Sequence, residues 1–342
     1  MAQSDGLRSP SARCAQLASD RIRTSFESQY TWRYEPQQAG LRELYEKAKR
    51  EQWNASAQLA WETPVDPESE IIPAAFNPLE DYAPFRRCSV KEQAHVRHAI
   101  LAWQLSQFLH GEQGALMTAS QLVSCVPWID AKYYAATQAM DEARHVEVFA
   151  RYLREKLEWE FPINENLRKL LDAILTDGRW DLKYLGMQIL VEGLAMAAFG
   201  NLHQIADDPL LVELIHYVMR DEARHVAFGV LSLEGFYRDM PASELADRED
   251  FIIEASLLMR DRLIGDEVAD VMGFDRAEVR DRILASPIMA AFRQQLFARV
   301  VPNVKRLGLL TPRVRHAYEQ IGVLQFEDAD TEAQDRALGL VA

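Results

Sequence analysis

The chain has only three cysteines in 342 residues, Cys14, Cys88 and Cys125. No two form a CxxC pair, and an odd, scattered set neither frames a disulfide scaffold nor builds a thiolate metal cluster. A reducing, cytoplasmic setting is the expectation. No glycine-rich flavin or nicotinamide fingerprint is present either, so any electrons would have to arrive from outside. Long apolar runs are missing: no stretch reaches the ~18 uncharged apolar residues of a spanning helix. The N-terminal MAQSDGLRSPSARC lacks the apolar core of a signal peptide, which leaves Asn54-Ala-Ser as an idle glycosylation match. Positive charge is in deficit, with 38 Lys and Arg against 52 Asp and Glu and a formal net charge of -14. That balance argues against a nucleic-acid or membrane partner and in favour of a basic electron-transfer protein or a small molecule. Strand alternation is absent throughout.

What is present is helical. Hydrophobic residues make up 48% of the chain, enough for one large core. Residues 1–30 are polar and without periodicity, and are expected to form a flexible N-terminus. A helix is expected from Gly40 to Trp61, then an extended crossing from Thr63 to Pro84 containing five prolines. Ser89 and Glu92 form a capping-box pattern that opens a first long helix running to Val126, where Pro127 stops it. A second runs from Ile129 to Glu160, followed by a shorter piece from Asn164 to Thr176. A third runs from Trp180 to Ala206. Asp207-Asp-Pro209 caps a fourth, which extends to Asp239. Three further helical patterns, Ser243–Met272, Arg276–Leu284 and Pro287–Lys305, are expected to flank these four. The domain expectation is thus a single unit over 31–320 with its core in 90–240, and a C-terminal tail over 321–342.

The string Asp-Glu-Ala-Arg-His-Val occurs twice, at 141–146 and 221–226, 80 residues apart. Glu112 and Glu192 are also 80 apart, and each precedes its Glu-x-x-His glutamate by 30 residues. The chain therefore repeats a helix pair. At about 100° per residue, Glu142 and His145 sit about 60° apart on one helix face, and Glu222 and His225 do the same. With Glu112 and Glu192 added, four carboxylates and two imidazoles project into one bundle. That ligand set is the one general principles assign to di-iron and di-manganese carboxylate bundles. Four negative charges offset two divalent cations, and oxygen and nitrogen donors without thiolate favour iron, or manganese in place of one iron. Asp141 with Arg144, and Asp221 with Arg224, lie beside the ligands. Ligating histidines usually donate their second N–H to a carboxylate, so each aspartate is expected to reach a histidine, that of the opposite repeat.

A lone Glu-x-x-His on a helix is usually a solvated pair, but two copies at matching distances from a glutamate inside an apolar helix are costly to bury without cations. The other histidines, His95, His98, His110, His203, His216 and His316, show no such pairing and read as surface or core imidazoles. Phe108, Leu116, Phe149, Gln188, Met196 and Val218 lie near the ligand faces, either as core or as lining for an apolar pocket.

These residues resemble the ferritin-like di-iron carboxylate superfamily, which includes the ribonucleotide reductase small subunit, acyl carrier protein desaturases and multicomponent monooxygenases. The resemblance covers residues 90–240, and the repeated Asp-Glu-x-Arg-His is most similar to the monooxygenase and desaturase branches. It implies an all-α, ferritin-like four-helix bundle with additional flanking helices, and Glu112, Glu142, His145, Glu192, Glu222 and His225 as ligands of two iron ions. Several positions depart from particular branches. Phe149 stands where a reductase subunit carries its tyrosine. Gly114 stands where ligand-binding oxidases place a crosslinking valine. Val218 replaces the seventh ligand, a histidine, of arylamine N-oxygenases, and Ala195 and Met196 stand where monooxygenases and desaturases hold a threonine.

The expected function is an oxidoreductase that uses dioxygen to hydroxylate, desaturate or N-oxygenate a mostly apolar small organic substrate. Electrons would come from a separate reductase or ferredoxin, and homodimerisation is a family-level expectation. Two alternatives are a ferroxidase or peroxide scavenger of the same fold and a non-catalytic assembly subunit.

Overall fold

The computed structural model describes residues 19–66 and 68–340. Residues 1–18 of the expected flexible N-terminus lie outside the described residues. Residues 19–38 hold no helix and run as an extended strap over the bundle. The Gln29 amide donates to Ser124 O (2.8 Å) and Thr31 Oγ1 to Pro127 O (2.8 Å). The strap leads into α1 (Ala39–Arg50), which lies against two of the bundle helices. The single helix expected from Gly40 to Trp61 breaks after Arg50. Asn54 is the reason, since its side chain accepts from the amides of Ser56 and Ala57 and starts a new turn at Ala55–Gln58.

The bundle helices are α2 (Val90–Cys125), α3 (Ile129–Tyr152), α5 (Trp180–Ile205) and α6 (Pro209–Leu233), with α4 (Glu165–Thr176) between α3 and α5. Ser89 and Glu92 form the reciprocal capping box that the sequence pattern announces. Asp208 caps α6 by accepting from Leu211 N, with Pro209 in the first turn. The same carboxylate accepts from the buried Tyr152 hydroxyl at 3.0 Å, which ties the start of α6 to the end of α3. The expected second helix ends early because Leu153–Leu157 widens into a π-turn and Glu158 turns left-handed at φ 54°.

Helix α5 is also π-helical, across Leu185–Val191, and returns to α-helix at Glu192. A π-turn shifts the phase of the side chains that follow it and is frequent at functional sites. Helix α6 approaches this turn closely: a Cβ on Gly229 would lie 2.5 Å from the Cβ of Gln188. By length and composition α5 could cross a membrane, yet 89% of its most apolar window is buried inside the bundle.

The stretch expected as one helix over Ser243–Met272 is two, α7 (Ala242–Asp261) and α8 (Val268–Met272). Gly265 separates them at φ +76°, with Trp103 3.3 Å from where its Cβ would stand, so both conformation and space call for glycine. After α9 (Arg276–Ala285), the stretch expected as Pro287–Lys305 divides into α10 (Pro287–Gln295), a 3₁₀ turn and α11 (Val300–Arg306), which carries Pro302 in its first turn. Two more helices follow. Thr311 caps α12 (Pro312–Gln320), and α13 (Thr331–Ala337) lies within the expected tail, where Asp335 pairs with Arg299 at 2.5 Å.

Gly114 explains how α4 packs on α2. A Cβ there would meet the side chain of Leu171 at 2.5 Å. Gly114→Val is therefore expected to overpack this contact and cost about 1–3 kcal/mol, read as a lowered midpoint in urea unfolding with an unchanged slope.

Candidate metal centre

The four bundle helices bring Glu112 (α2), Glu142 and His145 (α3), Glu192 (α5), and Glu222 and His225 (α6) into one buried volume. None of the six is more than 6% exposed. Their ligand atoms fall into two clusters, one of Glu112, Glu142, His145 and Glu222 and one of Glu142, Glu192 and His225. Glu142 and Glu222 each lie between the two imidazoles. From Glu142 the distances to Nδ1 of His145 and His225 are 3.4 and 3.1 Å, and from Glu222 they are 3.1 and 3.5 Å. The clusters thus share Glu142, with Glu222 in the first but lying within 3.5 Å of both imidazoles, and Glu112 and Glu192 each in one cluster alone.

Most of these approaches are not hydrogen bonds. Glu142 Oε2, Glu192 Oε2, both Glu222 oxygens and His225 Nδ1 are buried without a hydrogen-bond partner among the described residues. Lone pairs that converge in this way, rather than pairing with donors, fit cations. Burial, and then the neighbouring charge of Glu222, push the Glu112 and Glu192 carboxyls well above the usual range. Glu142 goes the other way: burial opposes ionisation, but His225 and His145 outweigh it and hold this carboxyl well below its ordinary value. Burial pulls the His145 imidazole down, yet the carboxylates around it, Asp221 first and then Glu112, Glu142 and Glu222, carry it well above. At His225 burial is outweighed in the same way, first by Glu142 and Glu222.

A pH dependence follows. Without metal, Glu112, Glu192, His145 and His225 hold their protons to higher pH than free groups do, and cations compete with those protons. Metal affinity is therefore expected to rise with pH, and loading is expected to release protons. Calorimetry of ferrous loading in buffers of different ionisation enthalpy measures that release.

The aspartates cross between repeats. His145 Nε2 lies 3.2 Å from Asp221 Oδ2, and His225 Nε2 lies 3.3 Å from Asp141 Oδ2. Each Nε2–H is therefore committed to an aspartate, which turns Nδ1 toward the carboxylate cluster. Arg144 donates to Asp141 (2.5 Å) and Asp221 (2.9 Å), and Arg224 donates to Asp221 and to Asp141 (3.4 Å). The four groups form a closed square of buried charge.

Sequence reasoning did not reach Gln52 and Trp53, which follow α1, or Gln138, and it placed Gln188 only near the ligand faces, as core or pocket lining. Trp53 Nε1 donates to Asp221 at 2.7 Å, and Gln52 Nε2 donates to Asp141 at 2.8 Å. Gln138 donates to Glu142 (3.0 Å) and Glu192 (2.8 Å), and Gln188 donates to Gln138. A signal existed for the glutamines, since each lies four residues before a site glutamate and so on the same helix face. No sequence signal linked Gln52 or Trp53 to residues some 90 and 170 positions away.

Phe149 packs with Phe108 and Phe199, at ring-centroid distances of 6.0 and 5.9 Å, and puts an apolar cluster where a reductase tyrosine would stand. Val218, Ala195 and Met196 are buried core residues. The remaining histidines stay outside the site. His98 bonds Ser69 O, His110 bonds Phe161 O, His95 lies edge-on to Trp159, and His203 lies beside His216.

An all-helical bundle with four inward carboxylates and two inward imidazoles defines a ferritin-like di-iron carboxylate protein, a class of non-haem oxidases and oxygenases. Residues 35–308 match the family described as P-aminobenzoate N-oxygenase AurF, and the chain belongs to that family. The ligand spacing is shared by several branches of the superfamily, which is why it could not single out this one. Val218, in place of a seventh histidine, is a departure within it. No curated protein matches the sequence significantly. Among solved structures, a glycine-to-phenylalanine variant of an R2-like ligand-binding oxidase with anaerobically reconstituted Mn/Fe cofactor is 18% identical. It covers 78% of this chain and 92% of its own, with a TM-score of 0.47. An R2-like ligand-binding oxidase with aerobically reconstituted metal cofactor after photoconversion is 15% identical, covering 85% and 93%, with a TM-score of 0.41.

Proposed function

We propose that Glu112, Glu142, His145, Glu192, Glu222 and His225 hold two iron ions, and that the protein uses dioxygen to oxidise a mostly apolar organic substrate. An aromatic amine is the first candidate, in keeping with the family. The observation that carries this reading is the convergence of unpaired carboxylate oxygens and imidazole nitrogens on two adjoining points inside the bundle. Two iron ions, when bound, supply paired one-electron redox steps toward dioxygen. Glu112, Glu142, His145 and Glu222 would hold one ion, and Glu142, Glu192 and His225 the other. His145 and His225 offer Nδ1 while Asp221 and Asp141 hold their Nε2 protons. Phe108, Phe149 and Phe199 exclude water on one side. With no flavin, nicotinamide or iron–sulfur motif in the sequence, the reducing electrons come from a separate ferredoxin or reductase.

Aerobic turnover tests this proposal. Iron-loaded protein is expected to consume oxygen once per reduction of the centre and to continue only when both a donor and an arylamine are supplied. Repeated oxidation of added ferrous iron without an organic substrate would mark a ferroxidase instead.

A further inference from the structure

Two of the histidines outside the metal centre stand side by side. His203 lies in the last turn of α5 and His216 in the first half of α6, and the packing of those helices sets their ring centres 5.8 Å apart at an interplanar angle of 38°. The two imidazoles of the metal centre, His145 and His225, have the same separation of 5.8 Å and an angle of 40°. Such a spacing has room for an ion. Zinc binds an imidazole nitrogen at about 2.0–2.1 Å, which puts a shared ion about 3.2 Å from each ring centre and the centres at most about 6.4 Å apart.

A carboxylate is at hand. Glu213 precedes His216 by three residues and shares its face of α6, the same Glu-x-x-His step that joins Glu142 to His145 and Glu222 to His225. Its side chain is exposed and free to turn, while both imidazoles are half-buried. Among the described residues none of the three makes a hydrogen bond or an ion pair. Glu92 and His95 repeat the step, but that carboxylate is engaged in the capping box of α2 and that imidazole lies edge-on to Trp159. Spacing alone therefore does not single out Glu213 and His216; the second imidazole and the free donors do.

Local electrostatics favour a cation. His203 sits at the C-terminal end of α5, where the helix dipole attracts positive charge. Burial, then the neighbouring His203 and Arg220, push the His216 imidazole below its ordinary value, which leaves it neutral and able to ligate. Arg220 works against a bound cation, and Glu213 offsets it.

We propose that His203, Glu213 and His216 form a second metal site, at the surface beside the α5–α6 turn, which binds a late first-row divalent cation, zinc above all, with water in the remaining positions. Imidazoles and a carboxylate without thiolate suit that class of ion. The site shares no donor with the buried centre and does not depend on the reading of that centre as di-iron. An ion there would pin together the two helices that carry Glu192, Glu222 and His225.

The test is zinc content after equilibrium dialysis of the full chain, treated beforehand with ferrous iron, against buffered zinc. Wild type is compared with the H203A/H216A double variant, so that zinc entering the buried centre cancels. The wild type is expected to hold about one zinc per chain more than the double variant, with equal iron in both. H203A and H216A singly are each expected to weaken this zinc by more than about tenfold, the least that losing even an outer partner of a metal ligand costs. E213Q is expected to weaken it less. Zinc is also expected to raise the thermal unfolding midpoint of the wild type and not that of the double variant. Equal zinc in the two proteins overturns the proposal. So does a loss of zinc accompanied by an equal loss of iron, which would place the missing ion in the buried centre. H203Q/H216Q keeps the size and polarity of the pair, and zinc retained by it at wild-type affinity would likewise overturn the assignment. Failure of every protein to take up iron counts against the di-iron reading and leaves the zinc difference as it stands.

Discussion

Glu142→Ala is expected to empty both metal positions, taking bound iron from two ions per chain to well below one. The reason is geometric. Glu142 lies within 3.4 Å of both His145 Nδ1 and His225 Nδ1 and belongs to both ligand clusters, so its loss removes a donor from each cation at once. Glu112 and Glu192 each belong to one cluster, and alanine there is expected to weaken one position more than the other. Metal analysis after gel filtration distinguishes the two patterns. If Glu142→Ala retained two ions while Glu112→Ala lost both, the division into central and outer carboxylates would be wrong.

The second large effect belongs to a residue that touches no metal. Asp221 accepts from Trp53, Arg144 and Arg224 and lies against the Nε2 of His145, and those partners hold its carboxyl well below the ordinary range despite burial. Asp221→Ala would leave two guanidiniums short of a partner and an indole N–H with none. Breaking a buried ion pair from one side costs about 3–5 kcal/mol. Loss of the carboxylate that orients a ligating histidine typically costs about 10–100-fold in metal affinity. Both are expected together, from chemical denaturation of the metal-free protein and from competition with a chelator. Asp221→Asn keeps the shape and one acceptor, so it should retain more stability than alanine. An alanine variant as stable as wild type would show that the charge square contributes nothing to holding the fold.

The core of the site was legible because it is written in short-range spacing. Glu-x-x-His fixes a carboxylate and an imidazole on one helix face whatever the tertiary context, and the 80-residue repeat shows that two such faces meet. The exchange of aspartates between repeats followed from the same symmetry. Groups that break the symmetry were not legible. Gln52 and Trp53 lie in the turn that follows α1, outside the repeat, and reach Asp141 and Asp221 only through tertiary packing. No spacing links His203 to His216, and their pairing exists only in three dimensions.

Element boundaries failed for local reasons. Asn54 ended α1 early by capping a new turn, and Gly265 split α7 from α8, so in both places a side chain or backbone conformation outweighed helical periodicity. The π-turns at Leu153–Leu157 and Leu185–Val191 leave no mark in composition, because they are set by packing against neighbouring helices.

The central claim is that these six side chains hold a coupled pair of iron ions. Its most direct test is iron content with Mössbauer spectroscopy on protein loaded anaerobically with ferrous iron, before and after exposure to oxygen. The account predicts about two irons per chain that oxidise together into a magnetically coupled diferric pair. Sub-stoichiometric iron, or the spectrum of isolated mononuclear sites, would contradict it.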